Sequence, residues 1–300
     1  MKKFVKKLLA FTISISTLTL SSCQTAGRQD NSNTENFIVG VVGDVEREVW
    51  EDVQKRLKDE NVNLEIEVFS DYVQPNVALA DDSIDMNAFQ HMAFLAEFIV
   101  ANNADLTAVG YTYISPMAAY SDSIKSLEEL TEGSEILIPN DPTNGGRALL
   151  LLEQAGVIEV DDQANATPTT KDIIKNDKNI KITEIDAAQI FIGIKDVSAV
   201  IANTNFAVDA GFNPFKHGIF VDTEDLNKVA SQYKNVMAVK TENADNAIIA
   251  KVVKAYQSSE TAKKIKEVSD NADQKAWSEN DNTKAELSEV LKQLEDTITK

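Results

Sequence analysis

Residues Glu135 to Gly156 read EILIPNDPTNGGRALLLLEQAG. Ile136 to Ile138, bounded by Pro139, suit a short buried strand. The polar, Gly/Pro-rich run Asn140 to Gly146 suits a turn at its C-terminal end. Arg147 then opens an expected helix through Ala148 and Leu149–Leu152, which Gly156 stops at C′. Adjacent glycines at a helix start expose backbone N–H groups where the orphan donors and the macrodipole favour an anion. A cation in a first turn lies on the wrong side of that dipole, so Arg147 calls for an anionic partner. A ligand carboxylate in the guanidinium fork is one such partner. A protein acid such as Asp141 beside an ordinary strand–turn–helix is the other.

Outward from this unit the same alternation recurs. Phe37 to Val42 is a short apolar strand, and Val45, Val49, Trp50, Val53 and Leu57 repeat at helical spacing through Glu60. Leu64, Ile66 and Val68 alternate with Glu65 and Glu67, a half-buried strand. A helix from Pro75 to Ala80, a strand near Ile84 to Ala88, a helix from Met92 to Ala101 and an extended stretch from Leu106 to Tyr120 follow. Ser126-Leu127-Glu128-Glu129 has the form of a capping box opening another helix. After the opening stretch the pattern continues through Thr169–Asn176, Ile180–Ile185 and Val197–Ala202. Such regular alternation predicts an α/β protein with mostly parallel sheets covered by helices on both faces. It is also more chain than one sheet needs, so two lobes are expected. Crossovers at Ile114–Tyr120 and Asn203–Phe215 would make lobe 1 discontinuous (37–120 plus 206–268) around lobe 2 (121–205). Ligands in such folds sit at strand C-terminal ends, facing the cleft.

The flanks bound the class of function. Lys2, Lys3, Lys6 and Lys7 precede a mostly apolar run from Leu8 to Leu20, of h-region length and too short to span a bilayer. Leu20-Ser21-Ser22-Cys23 looks like a bacterial lipobox. Residues 1–22 are therefore expected as signal peptide and Cys23 as a lipidated first residue; a plain secretory signal with an incidental Cys is the alternative. The polar segment 23–36 reads as a flexible leash. Cys23 is the only cysteine, which excludes disulfides and thiol nucleophiles, and two histidines are too few for a His-based metal cluster. Net charge is −19, and since the four signal lysines contribute positively, the remainder carries −23. Such acidity argues against nucleic-acid binding. No G-x-S-x-G, H-E-x-x-H or P-loop pattern occurs, so neither enzyme nor cofactor is expected. Beyond 268 the acidic segment 269–300 places Leu287, Val290, Leu291, Leu294 and Ile298 on one helical face, to pack on the body or meet a partner.

Four polar stretches share one order and spacing with a known family: Phe69-Ser70-Asp71-Tyr72-Val73-Gln74-Pro75-Asn76, Asp85-Met86-Asn87-Ala88-Phe89-Gln90-His91, Asn140 to Arg147, and Ile201-Ala202-Asn203-Thr204-Asn205. From Phe37 to Glu267 the chain resembles the NlpA/MetQ family, the substrate-binding lipoproteins of methionine ABC importers. The resemblance implies a two-lobed type II periplasmic-binding-protein fold with a ligand cleft between lobes. It also implies capture of L-methionine, delivery to an ABC permease with its ATPase, and anchoring at the extracytoplasmic membrane face. Another amino acid or a Met-containing dipeptide is the alternative ligand; a non-transport surface or adhesive lipoprotein is the alternative class. Carried onto this sequence, Tyr72, Phe89 and His91 would line the side-chain pocket, where sulfur–aromatic contacts contribute about 0.3–1.5 kcal/mol each, and Tyr111 would be a further ligand-binding position. Arg147, with Asn144 and the glycine amides, would hold the α-carboxylate. Asn203 would accept from the α-ammonium, and Asn235 would add another polar position. Read singly, Phe89 also suits a core aromatic and His91 a helix-start residue satisfied by backbone. The chain departs from the family's usual Asn-Leu-Gly-Arg with Asn144-Gly145-Gly146-Arg147, and carries Tyr111-Thr112-Tyr113 where relatives have other aromatics.

Overall fold

The computed structural model describes residues 35–161 and 167–298. The expected signal peptide (1–22), the lipidation site Cys23 and the leash up to residue 34 lie outside the described residues.

The chain runs β1 (Glu35–Val42), α1 (Asp44–Leu57), β2 (Val62–Phe69), α2 (Gln74–Ala80), β3 (Met86–His91), α3 (Met92–Asn102) and β4 (Leu106–Tyr111). It continues through β5 (Tyr113–Ile114), β6 (Met117–Tyr120), β7 (Glu135–Pro139), α4 (Pro142–Gln154), β8 (Glu159–Val160), β9 (Ile173–Lys175), β10 (Lys181–Ile185) and β11 (Ala199–Asn203). Then come α5 (Thr204–Asp209), α6 (Pro214–His217), β12 (Phe220–Val221), β13 (Asn235–Lys240), α7 (Ala247–Tyr256), α8 (Ser259–Val268), β14 (Gln274–Lys275) and α9 (Thr283–Ile298).

Two five-stranded sheets form, in the orders β2-β1-β3-β13-β4 and β10-β7-β11-β6-β12. In the first, β1 is parallel to β2 from Glu35↔Val62 to Val42↔Phe69, and parallel to β3. In the second, β10, β7 and β11 are parallel. Each sheet also holds an antiparallel strand that helix-and-strand periodicity does not announce. β13 opposes β3 and β4, and β6 opposes β11 and β12. β6 and β13 enter their sheets straight from the segments that pass between lobes, without the covering helix that a parallel connection needs.

Each sheet has its own core. Val49, Trp50, Val53 and Leu57 of α1 lie buried on the first sheet, with Trp50 4.8 Å from the Tyr256 ring. Leu149, Leu151 and Leu152 of α4 pack with Ile136, Ile138 and Ile201 in the second. The lobe limits differ from the expected ones. β6, placed by sequence before the boundary at 120, belongs to the second sheet, and so does β12, placed beyond 205. The return passage is therefore 222–234, because a two-residue strand such as β12 carries no periodicity to read. Of the two expectations for the acidic C-terminal segment 269–300, packing on the body is the one met. β14 pairs with β5, and α9 buries Leu287 against the first lobe while Thr283 Oγ1 donates to the Ala108 carbonyl at 3.1 Å. Ser126 caps only a 3₁₀ turn, Leu127–Glu129, rather than a longer helix.

The decisive stretch also starts its helix earlier than its glycines suggest. Asp141 is the N-cap, its carboxylate accepting from Asn144 N at 2.8 Å, and Pro142 fills the first turn. Gly145 N donates to Asp141 O at 2.8 Å, so the expected glycine-amide anion cradle does not form. The glycines serve close packing instead. A Cβ on Gly145 would lie 2.8 Å from Pro139 O, and one on Gly146 2.8 Å from Thr167 Cα. Asp141→Ala should lower stability by about 1–2 kcal/mol through loss of the cap, read as a lowered urea midpoint. An unchanged midpoint would remove the cap from the account.

Candidate functional site

The strand ends and the passages between lobes converge on a cleft between the two sheets. Tyr72, Phe89, His91 and Asn235 reach it from the first lobe; Asn144, Arg147 and Asn203 reach it from the second. Seven of the eight expected ligand-binding residues thus share one cavity. Tyr111 does not. It is fully buried at the end of β4, its hydroxyl donates to Glu286 of α9 at 2.5 Å, and Lys234 lies over its ring. The folded-back C-terminal helix covers that position. Tyr113 lines the cleft instead, donating its hydroxyl to buried Glu46.

One end of the cleft is aromatic. Tyr72 lies 5.8 Å from Phe89, 5.9 Å from Phe94 and 4.8 Å from Phe206, centroid to centroid. Of these rings Tyr72, Phe89 and Phe94 line the cleft, an apolar, polarizable wall suited to a thioether or a branched alkyl chain. The other end is polar and tightly specified. His91 is the N-cap of α3: its Nδ1 accepts from Phe94 N at 3.1 Å. That bond assigns the proton to Nε2, which donates to Asn144 Oδ1 at 3.2 Å. The same oxygen accepts from Asn203 Nδ2 at 2.7 Å, while Asn144 Nδ2 donates to the Asp141 carboxylate at 3.0 and 3.1 Å. Asn144 is therefore a hub linking a first-lobe histidine to a second-lobe asparagine. His91 is both the helix-start histidine of the plain reading and a cleft residue.

Burial, reinforced by the Arg147 charge, lowers the His91 pKa to about 3. Its folded value lies below the unfolded one near 6.5, so the unfolded chain takes up the proton first on acidification. This contribution to stability is complete above about pH 6.5 and is lost as pH falls toward 3. His91→Gln should therefore lose less stability than the parent between pH 6.5 and 4 in urea titrations. Equal losses would show that His91 is not held neutral.

Arg147 sits in the second turn of α4, where the dipole penalty of a first-turn cation no longer applies. Its Nε and Nη2 donate to Asp222 Oδ2 at 2.9 and 2.6 Å, and Nη2 also donates to Ser115 O at 3.1 Å. The guanidinium lies 4.5 Å over the Tyr233 ring. So the protein itself supplies an acid, Asp222 rather than Asp141. Asp222 fixes one edge of the fork while Arg147 still faces the cleft, and Nη1 is left over from these bonds. Asp222 is 75 residues away in sequence, and nothing in the sequence around it signals the pairing.

Among the described residues, three buried polar atoms of cleft residues have no partner: Asn203 Oδ1, Asn205 Nδ2 and Tyr233 Oη. Tyr72 holds Asn205 in place, donating to its Oδ1 at 2.5 Å. Each orphan costs about 1–3 kcal/mol, so a free acceptor and free donors on one small cavity mark a place for a doubly polar guest. The lone cation, Arg147, is already charge-paired and His91 is neutral. A zwitterion, which adds no net charge, suits such a site. Asn205 and Tyr233 are absent from the residues expected by sequence, although Asn205 lies inside one of the motifs that were read. Among the described residues no cluster of three or more metal-ligating side chains occurs, and no helix is long and apolar enough to cross a membrane.

The chain is similar to known proteins over most of its length. The NlpA lipoprotein family model matches residues 37–277. The D-methionine-binding lipoprotein MetQ of Escherichia coli O157:H7 is 40% identical over 252 residues, 83% of this chain and 91% of that protein. A nutrient-binding protein from Burkholderia cenocepacia, solved bound to methionine, superposes with a TM-score of 0.77 at 38% identity, covering 80% of this chain and 100% of that one. The substrate-binding protein of a methionine transporter from Streptococcus pneumoniae gives a TM-score of 0.76 at 35% identity, over 81% and 96% of the two chains.

Proposed function

This chain belongs to the NlpA lipoprotein family, and on that premise we propose that it captures methionine in the cleft between its lobes and delivers it to an ABC importer. The role is that of a transporter's substrate-binding protein, a non-enzymatic one. The observation that carries the reading is the pairing of an aromatic wall with a neutral polar end holding an anchored guanidinium and orphaned amide atoms. Arg147 and Asn144 take the α-carboxylate, Asn203 and Asn235 take the α-ammonium, and Tyr72, Phe89 and His91 enclose the side chain. Cys23 carries the lipid that tethers the protein to the extracytoplasmic face of the membrane. A permease and its ATPase are the partners, engaged by the closed form.

The test uses protein unfolded and refolded to remove carried-over ligand, then titrated calorimetrically with both methionine enantiomers, leucine and Met-containing dipeptides. Methionine should bind at least about tenfold more tightly than leucine, a difference of about 1.4 kcal/mol. Equal affinities would overturn the assignment, and binding of dipeptides alone would replace it.

A further inference from the structure

Helix α1 opens the first lobe's core, yet it has no side-chain cap of its own. Its N-cap is Gly43, with φ +85° and no side-chain cap bond among the described residues. The leading amides of the first turn are taken from the other side of the cleft. Asp209, the last residue of α5, accepts from Asp44 N at 3.2 Å and faces the Val45 amide as well. Gly43 leaves room for it: a Cβ there would lie 2.3 Å from Asp209 Oδ2. α5 belongs to the second lobe, where Ala207 packs with Val200 and Ala202, whereas Val49, Trp50 and Val53 fix α1 in the first.

The same short helix begins at the cleft. Asn203 and Asn205 hold its N-terminal end against the cleft, and Thr204 Oγ1 donates to Pro116 O at 2.7 Å where the chain passes between lobes. One element thus lines the cleft at one end and caps the opposite lobe at the other. We propose that Asp209 is a positioning residue for ligand capture: its carboxylate caps α1 only when the lobes are together, and so stabilises the closed arrangement without touching ligand. The proposal rests on the capture reading above. In it, apparent affinity scales with the fraction of protein in the binding-competent closed form, and a helix-cap contact is strong enough to shift that fraction about tenfold.

The test combines two readouts on the full chain at pH 7.4. In Asp209→Ala, the methionine Kd should rise about tenfold, mainly through faster dissociation, with unchanged stoichiometry. Asp209→Asn, which keeps an acceptor oxygen, should stay within about threefold of the parent. Independently, spin labels placed one on each lobe's outer surface should show ligand-free Asp209→Ala with a more open distance distribution than the ligand-free parent. An unchanged distribution would overturn the proposal even if methionine proved not to be the ligand. Failure of the parent to bind methionine would instead sink the capture reading. Gly43→Ala, which crowds the same carboxylate, should open the lobes similarly; a closed distribution in that variant would count against the proposal.

Discussion

Arg147→Ala is expected to abolish useful methionine binding, raising Kd by roughly 10²–10⁴-fold, the effect of removing one partner of a buried charge-assisted contact. The loss is large because the fork is pre-oriented. Asp222 Oδ2 and the Ser115 carbonyl fix two of its nitrogens and Tyr233 lies beneath its plane, so little ordering remains to be done when a carboxylate arrives. The variant should also lose about 1–3 kcal/mol of stability, because Asp222 is left half-satisfied, its Oδ1 still accepting from Met117 N at 3.0 Å. Adding Asp222→Asn should recover much of that stability and none of the binding. This separates the two roles of the guanidinium, as a core ion-pair member and as a ligand contact. Affinity within threefold of the parent in Arg147→Ala would remove the residue from the site.

Asn203→Ala should weaken methionine binding roughly 10–100-fold, the range for a hydrogen bond to a charged group. It should leave the thermal midpoint of the ligand-free protein almost unchanged. The asymmetry follows from the orphaned Oδ1: alanine removes an unsatisfied buried acceptor along with the bond from Nδ2 to Asn144, and these oppose each other. Asn144 Oδ1 still accepts from His91. A residue whose loss costs affinity but not stability is the signature of a group kept unsatisfied for a guest. A midpoint drop comparable to that of a core deletion, with affinity intact, would assign Asn203 to the scaffold instead.

The sequence shows the site better than it shows the hinge. Polar residues that end apolar strands, such as Asn203 after Ala199-Val200-Ile201-Ala202, stand out because an amide there needs a partner. Phe89 and His91 of β3 are legible only through the family resemblance, since read singly they also suit a core aromatic and a helix cap. The start of α4 lies earlier than its glycines suggest because the Asp141–Pro142 pair is an N-cap followed by N1 rather than a turn. The resemblance points to Tyr111 as a site residue, but α9 returns to cover that end of β4, which no periodicity reveals. Asp222 and the two-residue β12 carry no local signal at all. Their roles exist only once the chain has passed back between the lobes.

The central claim is that an anchored guanidinium and a set of amide groups, joined from two lobes, neutralise both charged ends of one amino acid. The most direct measurement titrates the refolded protein with methionine, with 3-(methylthio)propylamine, which lacks the carboxylate, and with 4-(methylthio)butanoate, which lacks the ammonium. The account predicts that each one-ended analogue binds at least about a hundredfold more weakly than methionine, since each strands a buried charged or polar group. Binding of the carboxylate-free amine within about tenfold of methionine would contradict it.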